Sequence, residues 1–239
     1  MGEMASVAGE LRRRTGVLEP MLTAPAIMEQ TKNLGSLLER EASLPIEVVG
    51  FSWGAWVGCL LAGTRPELVR KLVLVGAPPF VSGYEQDIAA TRRGRLGGRE
   101  RAEVETLSEV VEKGRGDAPD RALARLGELL ARADAFDPAY EGEAGQKFSA
   151  RVFNRAWPTG DALRRSGRLL KAIEGIQCPV VAVHGDYDPH PARAVLDLEG
   201  RVEQFRFILL EKCGHRPWVE RHARERFFHI LREELRPGG

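Results

Sequence analysis

An apolar run that breaks at glycine constrains this 239-residue chain more than any other feature. Residues 46–51 read Ile-Glu-Val-Val-Gly-Phe, and their β-branched composition predicts a strand. The pattern Gly50-Phe51-Ser52-Trp53-Gly54 then predicts a sharp turn into a helix. Such a turn lifts the Ser52 hydroxyl above the sheet and aims the first free helical N–H, that of Trp53, at a developing negative charge. Ser52 is therefore a candidate nucleophile, and the alternative is an ordinary glycine-rich turn.

Strand patterns on both sides of a long helical region predict an α/β fold with a mostly parallel sheet and flanking helices. The apolar residues 71–76 follow the Ser52 helix, so strand, helix and strand form a parallel βαβ unit. Further predicted elements are strands at residues 16–20, 178–185 and 205–210 and helices at 4–14, 26–41 and 219–235.

The region between the second and third strong strands has a different composition. It is rich in arginine, glutamate, alanine and glycine, and its amphipathic runs near residues 101–113, 120–133 and 161–173 predict helices. We therefore expect a helical cap at residues 81–172, inserted into an α/β core made of residues 1–80 and 173–239.

Composition excludes a general attraction to polyanions. The chain has 35 Lys and Arg and 34 Asp and Glu, with a formal net charge of +1, so we expect neither a nucleic-acid nor a membrane partner. Cys59, Cys178 and Cys213 are widely spaced, which argues against a disulfide framework and a zinc cluster and suits a reducing compartment. With no secretory pattern and no run of about 18 apolar residues, we expect a soluble, cytoplasmic protein.

Two loops after later strands hold residues that could assist Ser52. A hydroxyl is a poor nucleophile at neutral pH and needs a base, which in turn needs a carboxylate to orient it. Carboxyl ends of parallel strands meet at one edge, so Asp186 or Asp188 and His215 should lie near Ser52. Either aspartate could instead cap a turn, and His215 could be a loop histidine bonded to a carbonyl.

The other histidines are weaker candidates for chemistry. His184 is interpreted as a packing residue at a strand end, and His222 and His229 are placed on a solvated helix. His190 follows the acidic loop and receives no separate role.

Jointly, these motifs resemble the α/β-hydrolase superfamily from about residue 16 to the end. The segments that carry the resemblance are Gly50-Phe51-Ser52-Trp53-Gly54, residues 72–76, Gly185-Asp186-Tyr187-Asp188, Gly214-His215 and Pro217-Trp218. The resemblance implies that Ser52 is the nucleophile, His215 the general base and acid, Asp188 the orienting carboxylate and the Trp53 amide an oxyanion donor. It implies no metal and no organic cofactor.

The resemblance also favours one branch of the superfamily and disfavours two. Tryptophan after the nucleophile, together with the predicted cap, looks like the branch of proline iminopeptidases and small esterases. Haloalkane dehalogenases and epoxide hydrolases have aspartate where this chain has Ser52.

The chain departs from the family pattern before the Ser52 turn. Family members usually carry further strands there, and one loop, often His-Gly-Gly-Pro, supplies a second oxyanion N–H. Only 49 residues precede Gly50, and they contain no His-Gly pair. We expect the natural start to lie upstream of Met1, with the missing strands encoded there.

Five aromatic residues flank the motifs or lie in the predicted cap: Phe51, Trp53, Phe80, Trp157 and Trp218. We expect them to line a pocket for an apolar acyl or aryl group, and the alternative is that they are core residues.

Two hypotheses follow. In the first, the chain is a serine hydrolase that cleaves a small ester, amide or lactone through an acyl-enzyme, with activity rising as His215 loses its proton at roughly pH 6–7. In the second, the chain is a catalytically impaired protein that lacks the amino-terminal oxyanion strand and binds a small molecule or a partner through an exposed sheet edge, and dimerisation with a second copy would favour this hypothesis. No motif distinguishes peptidase, esterase, thioesterase and lactonase substrates.

Overall fold

The computed structural model describes residues 3–140 and 149–235. Within them lies a parallel sheet made of β1 (Ile46–Phe51), β2 (Val69–Val75), β3 (Val180–Gly185) and β4 (Phe205–Leu210), in the spatial order β1-β2-β3-β4. Every neighbouring pair is parallel, so the carboxyl ends of all these strands meet at one edge. The predicted α/β fold is confirmed.

Helices cover the sheet. Before β1 lie α1 (Ala5–Leu11) and α2 (Ile27–Glu41), and α3 (Trp53–Thr64) joins β1 to β2. The inserted helices between β2 and β3 are α4 (Glu85–Arg95), α5 (Gly98–Lys113), α6 (Ala118–Ala133), α7 (Ala150–Arg165) and α8 (Arg168–Ile173). The chain continues with α9 (Arg193–Leu196) and α10 (Arg224–Glu234). No helix in the described part is long and apolar enough to cross a bilayer.

The two faces of β2 build two hydrophobic clusters. Leu74 packs into a cluster with α3, and its neighbour Val75 packs into a second cluster with α10. Successive side chains of a strand point to opposite faces, so a strand covered on both sides is apolar at nearly every position. This explains the near-continuous apolar sequence of β2, whereas β1, which pairs with a strand on one side only in the described residues, is half-buried over most of its length.

Three local expectations are corrected, and one helix was not predicted. Residues 16–20 form no strand. The helix expected at residues 161–173 is divided between α7 and α8, because Gly167 adopts a left-handed conformation with φ of 72°. The last helix begins only at Arg224, after a 3₁₀ turn at Pro217–Val219. Helix α4 was not predicted, and it buries no residue, so it has no apolar stripe to detect.

The division into core and cap stays a prediction. Residues 141–148 of the predicted cap lie outside the described residues. At the other end of the insertion, Leu169 and Ile173 of α8 pack into the same cluster as α3, so this last helix is joined to the sheet by its apolar face.

Candidate active site

Ser52 occupies a strained turn between β1 and α3. Its φ of 48° and ψ of −118° lie in a backbone region that residues other than glycine rarely adopt. Such backbone strain is characteristic of functional sites. Its backbone N–H donates to Val75 O at 3.0 Å, which fixes the turn against the end of β2. A Cβ on Gly50 would lie 2.5 Å from Gly54 O, so only glycine allows the strand and helix to cross this closely.

Asp188 and His215 meet at the same edge of the sheet. Nδ1 of His215 lies 2.7 Å from Oδ2 of Asp188. Both residues are buried, with 7% and 8% of their surface exposed. The Asp188 turn follows β3, and the His215 loop follows β4, which is why parallel pairing of these two strands brings the side chains together.

Asp186 has a different environment from Asp188. It is exposed, and its Oδ1 accepts a hydrogen bond from the backbone N–H of Cys213 at 3.0 Å. This is the turn-capping role that either aspartate could have had. Of the two carboxylates, only Asp188 is hydrogen-bonded to His215 within the described residues.

Burial and neighbouring charges shift the titration of this pair in opposite directions. Burial alone would raise the pKa of Asp188, but the adjacent imidazoles, His215 first, hold it well below its usual range. Burial alone would lower the pKa of His215, but the Asp188 carboxylate raises it above its ordinary value. Asp188 is therefore ionised at neutral pH, and it stabilises a protonated His215.

His215 also lies against Phe51, which precedes Ser52, and against Gly76, which follows the neighbouring strand β2. Its ring centroid is 4.7 Å from that of Phe51, and a Cβ on Gly76 would come within 2.9 Å of Nδ1. The Ser52 hydroxyl itself has no hydrogen bond to a described residue. His215 therefore lies beside the Ser52 turn without a hydrogen bond to the Ser52 hydroxyl. This does not exclude a nucleophile and base pair, because such bonds are often long in the absence of substrate.

His190 is buried and bound to Asp188, which the sequence interpretation missed. Its Nδ1 and its backbone N–H both lie 2.9 Å from Oδ1 of Asp188. His184 in turn places Nε2 at 2.7 Å from His190 O, so its role exceeds simple packing. The signal was available, because a polar residue two positions after an acidic turn residue is placed to bond it. The remaining histidines are exposed, although His222 precedes α10 instead of lying on it.

A buried carboxylate fixes the His215 loop by hydrogen bonds to backbone N–H groups. Glu220 is fully buried and accepts hydrogen bonds from the backbone N–H groups of Gly214, Phe136 and Asp137 at 2.8–2.9 Å. The backbone N–H of His215 donates to Asp134 O at 2.9 Å. The chain after α6 is thereby joined to the histidine loop, and no sequence pattern pointed to this.

Arg92 of α4 supports this connection. Its guanidinium donates to both carboxylate oxygens of Asp134, at 2.8 and 2.6 Å. Burial opposes the charge, but the hydrogen bonds and charge of Asp134 raise the pKa of Arg92 above its ordinary value. Helix α4 is thus joined by a planar, bidentate ion pair to Asp134, the residue whose carbonyl accepts a hydrogen bond from the His215 backbone.

The predicted pocket residues divide into core residues and one exposed side chain. Phe80 and Trp218 have 0% and 1% of their surface exposed, and Phe51 has 7%. The prediction that they line a pocket is revised for Phe80 and Trp218, because neither offers surface to a ligand, whereas Phe51 contacts the His215 ring. Trp157 is exposed.

Trp157 belongs to an aromatic row that begins beside Ser52. Its ring centroid is 5.8 Å from Trp53 and 6.0 Å from both Trp56 and Phe153. The Trp53 indole N–H donates to Gln30 Oε1 at 2.7 Å, which orients the ring. The row therefore connects the Ser52 turn with the surface of α7.

Asp188, His190 and His215 also form a cluster whose ligand-type atoms lie within 4.8 Å of one another. Their hydrogen bonds already account for this closeness. The expectation that the site uses no metal stays a prediction. A pocket of about 340 Å³ lies at the opposite, amino-terminal edge of the sheet, and ion pairs join charged residues of its lining.

Comparison with known proteins gives a consistent picture. A sequence model of the Alpha/beta hydrolase family matches residues 33–229. The biotin biosynthesis bifunctional protein BioHC of Teredinibacter turnerae is 26% identical in an alignment 199 residues long that covers 81% of this chain. The chain spans about one third of the length of this curated relative (33%).

Solved structures show the same fold. VinJ superposes with a TM-score of 0.59 at 20% identity, over 92% of this chain and 76% of VinJ. Est816, described as an N-acyl homoserine lactone degrading enzyme, superposes with a TM-score of 0.55 at 17% identity, over 91% of this chain and 78% of Est816.

Proposed function

Because the chain belongs to the alpha/beta hydrolase family, we propose that it is a serine hydrolase whose catalytic triad is Ser52, His215 and Asp188. The observation that carries the proposal is the 2.7 Å hydrogen bond between His215 Nδ1 and Asp188 Oδ2, at the edge of the sheet that holds the strained Ser52 turn. An ionised carboxylate on Nδ1 fixes the tautomer that leaves Nε2 free to accept a proton.

In the proposed reaction, Ser52 Oγ attacks the acyl carbon while its proton moves to Nε2 of His215. The backbone N–H of Trp53, the first residue of α3, donates to the oxyanion. His215 passes the proton to the leaving alcohol or amine as the C–O or C–N bond breaks, which leaves an acyl group on Ser52. Water, deprotonated by His215, then releases the carboxylic acid and restores the hydroxyl.

The proposed substrate is a small ester, amide or lactone with an apolar acyl or aryl group, and no metal or organic cofactor takes part. The aromatic row from Trp53 to the exposed Trp157 supports an apolar substrate group, because aromatic faces bind such groups well. The lactone activity named for Est816 supports the inclusion of lactones. The assignment to the branch of proline iminopeptidases and small esterases stays a prediction from sequence.

Covalent labelling tests the proposal without knowledge of the substrate. A fluorophosphonate should label the wild-type chain at Ser52, as located by peptide mass spectrometry, and should leave Ser52→Ala unlabelled. Ser43→Ala changes an exposed loop serine and serves as the matched control that keeps labelling. A folded wild-type protein that stays unlabelled at Ser52 would contradict the proposal. A panel of acyl esters, lactones and aminoacyl amides then identifies the substrate class.

Two observations favour a second candidate, a catalytically impaired binding protein that forms a homodimer. The Ser52 hydroxyl has no hydrogen bond to a described residue, and β1 pairs with a strand on one side only in the described part of the chain. An open strand edge is a template for pairing with a second copy. Inert Ser52 together with concentration-dependent dimerisation in sedimentation would favour this candidate, and a labelled monomer would exclude it.

A further inference from the structure

Asp188 is bound by two imidazoles, although a serine triad needs only one. His215 Nδ1 lies 2.7 Å from Oδ2, while His190 Nδ1 lies 2.9 Å from Oδ1. The two ring centroids are 4.8 Å apart, so the carboxylate bridges the two histidines. His190 has no part in the proposed transfer of the Ser52 proton, and its presence on the carboxylate needs a separate explanation.

The protonation of the pair follows from the carboxylate. An ionised carboxylate only accepts hydrogen bonds, so both Nδ1 atoms must donate. Burial lowers the pKa of His190 despite the adjacent Asp188, and the positive charges of His215 and Arg92 act in the same direction as burial. His190 is therefore a neutral donor at neutral pH, which stabilises the charge of Asp188 without adding charge of its own.

We propose that His190 is a positioning residue, which fixes Oδ1 of Asp188 and thereby weakens the hold of Oδ2 on the Nδ1 proton of His215. The proposal rests on the proposed function, because it assigns a role within the same triad. A donor on Oδ1 stabilises part of the negative charge, so less of that charge is available to stabilise a protonated His215. His215 then becomes a free base at a lower pH than it would beside an Asp188 that lacked this donor.

The surrounding charges do not duplicate this contact. Within the described residues, only His190 donates to Oδ1, through its ring and its backbone. His184 Nε2 is 3.7 Å from Oδ2 and bonds His190 O, so it supports the turn. The charge of Arg92 in α4 acts on both His190 and His215, and that of Asp134 after α6 acts on His215. The carboxylates of Asp186 and Glu220 act on Cys213, two residues before His215.

Two substitutions separate the ring nitrogen from the ring. His190→Phe keeps a buried ring, removes the ring donor Nδ1 and leaves the backbone N–H donor in place. His190→Asn places an amide nitrogen where Nδ1 stands. In the full chain, NMR titration of the downfield Nδ1–H resonance of His215 gives its midpoint without any need for catalysis. The midpoint should rise by about 0.5–1 pH unit in His190→Phe and stay within about 0.2 units of wild type in His190→Asn.

Labelling of Ser52 gives an independent readout. At high pH, where His215 is neutral in every variant, His190→Phe should be labelled about 3- to 10-fold more slowly and His190→Asn at nearly the wild-type rate. Only the first loses the ring donor that helps the backbone N–H to hold the Asp188 carboxylate in place. A folded His190→Phe with an unchanged His215 midpoint would overturn the proposal, as would His190→Asn behaving like His190→Phe. Should His190→Phe fail to fold, His190→Met is the second variant that lacks the side-chain donor.

The outcomes also distinguish this proposal from the proposed function. A shifted His215 midpoint with Ser52 unlabelled in every variant contradicts the serine hydrolase and supports the role of His190. Normal labelling with an unshifted midpoint contradicts the role of His190 alone.

Discussion

Asp188 and Glu220 are two buried carboxylates at the same edge of the sheet. Imidazole side chains bind the first, whereas only backbone N–H groups bind the second among the described residues. Asp188 is bound by the imidazoles of His215 and His190 and by one backbone N–H. Glu220 is bound by three backbone N–H groups, those of Gly214, Phe136 and Asp137. Imidazoles gain or lose charge by titration near neutral pH, whereas backbone amides do not ionise there.

The difference shows how one edge combines chemistry and rigidity. The Asp188 contacts can change protonation during a reaction, so they suit catalysis. The Glu220 contacts are fixed, and they join the His215 loop to the chain that follows α6. We infer that the first carboxylate sets reactivity and the second sets position, and the following variants test this comparison.

Exchange of each carboxylate for its amide gives the largest contrast. Asp188→Asn is expected to slow labelling of Ser52 on the order of 10⁴-fold, because an amide does not hold His215 in the reactive tautomer. Glu220→Gln is expected to lower the free energy of unfolding by about 1–3 kcal/mol, because its amide nitrogen faces a backbone N–H. Labelling kinetics, corrected for the folded fraction, and thermal unfolding measure the two effects.

The comparison would break if Glu220→Gln, once folded, lost as much labelling as Asp188→Asn. It would also break if Asp188→Asn kept most of its labelling rate, because Asp188 would then be a structural carboxylate as well.

A methyl group at Gly76 tests the position of His215 directly. The φ of Gly76 is 51°, and an added Cβ would lie 2.9 Å from both Nδ1 and the backbone O of His215. Gly76→Ala should therefore displace the ring and reduce labelling about 10²-fold, the cost expected for a misplaced catalytic group. Gly94→Ala in α4 is the matched control, since nothing lies within 4 Å of its added Cβ. Equal labelling of the two variants would contradict this placement of His215.

The pH dependence of labelling should follow the raised pKa of His215. Asp188 raises this pKa against the effect of burial, and attack by Ser52 needs neutral His215, so the rate should rise with pH and reach half its maximum above the ordinary histidine value of about 6.5. Asp188→Asn should move the His215 titration to lower pH, measured by NMR. A midpoint at or below the ordinary value in the wild-type chain would argue that Asp188 does not control His215.

The same shifts make stability depend on pH. The raised pKa of His215 gives stability that is complete below about pH 6.5 and is lost as pH rises through its folded value. The lowered pKa of Asp188 gives stability that is present above about pH 3.9 and is lost as pH falls through its folded value. The lowered pKa of His190 opposes His215, because its contribution is lost as pH falls. Thermal unfolding measured from acid to alkaline pH should show that the melting temperature of Asp188→Asn depends less on pH than that of the wild-type chain.

The smallest effect is expected at the ion pair that joins α4 to the histidine loop. Arg92→Lys loses the two-pronged contact with Asp134, and we expect a loss of less than about 1.4 kcal/mol, so labelling should fall by less than about tenfold. Arg93→Lys is the control, because Arg93 pairs with Glu105 on the exposed surface. Identical behaviour of the two variants would show that the ion pair between Arg92 and Asp134 does not help to position His215.

Local pattern was sufficient for the sheet and the three candidate residues. The apolar strands, the glycines at the Ser52 turn and the parallel order of the strands all follow from short segments. Once strands are parallel, residues just past their carboxyl ends must share an edge. The glycine pattern led to Ser52, and this rule added the acidic turn at Asp186 and Asp188 and His215.

Only the tertiary structure decided how these residues are connected. The choice between Asp186 and Asp188, the second imidazole of His190, the burial of Phe80 and Trp218 and the contacts of Glu220 depend on distances between segments far apart in sequence. Sequence pattern records which faces are apolar and where the backbone turns. It does not record which donor reaches which acceptor, because a hydrogen bond requires a fit of a few tenths of an ångström that only the packed chain provides.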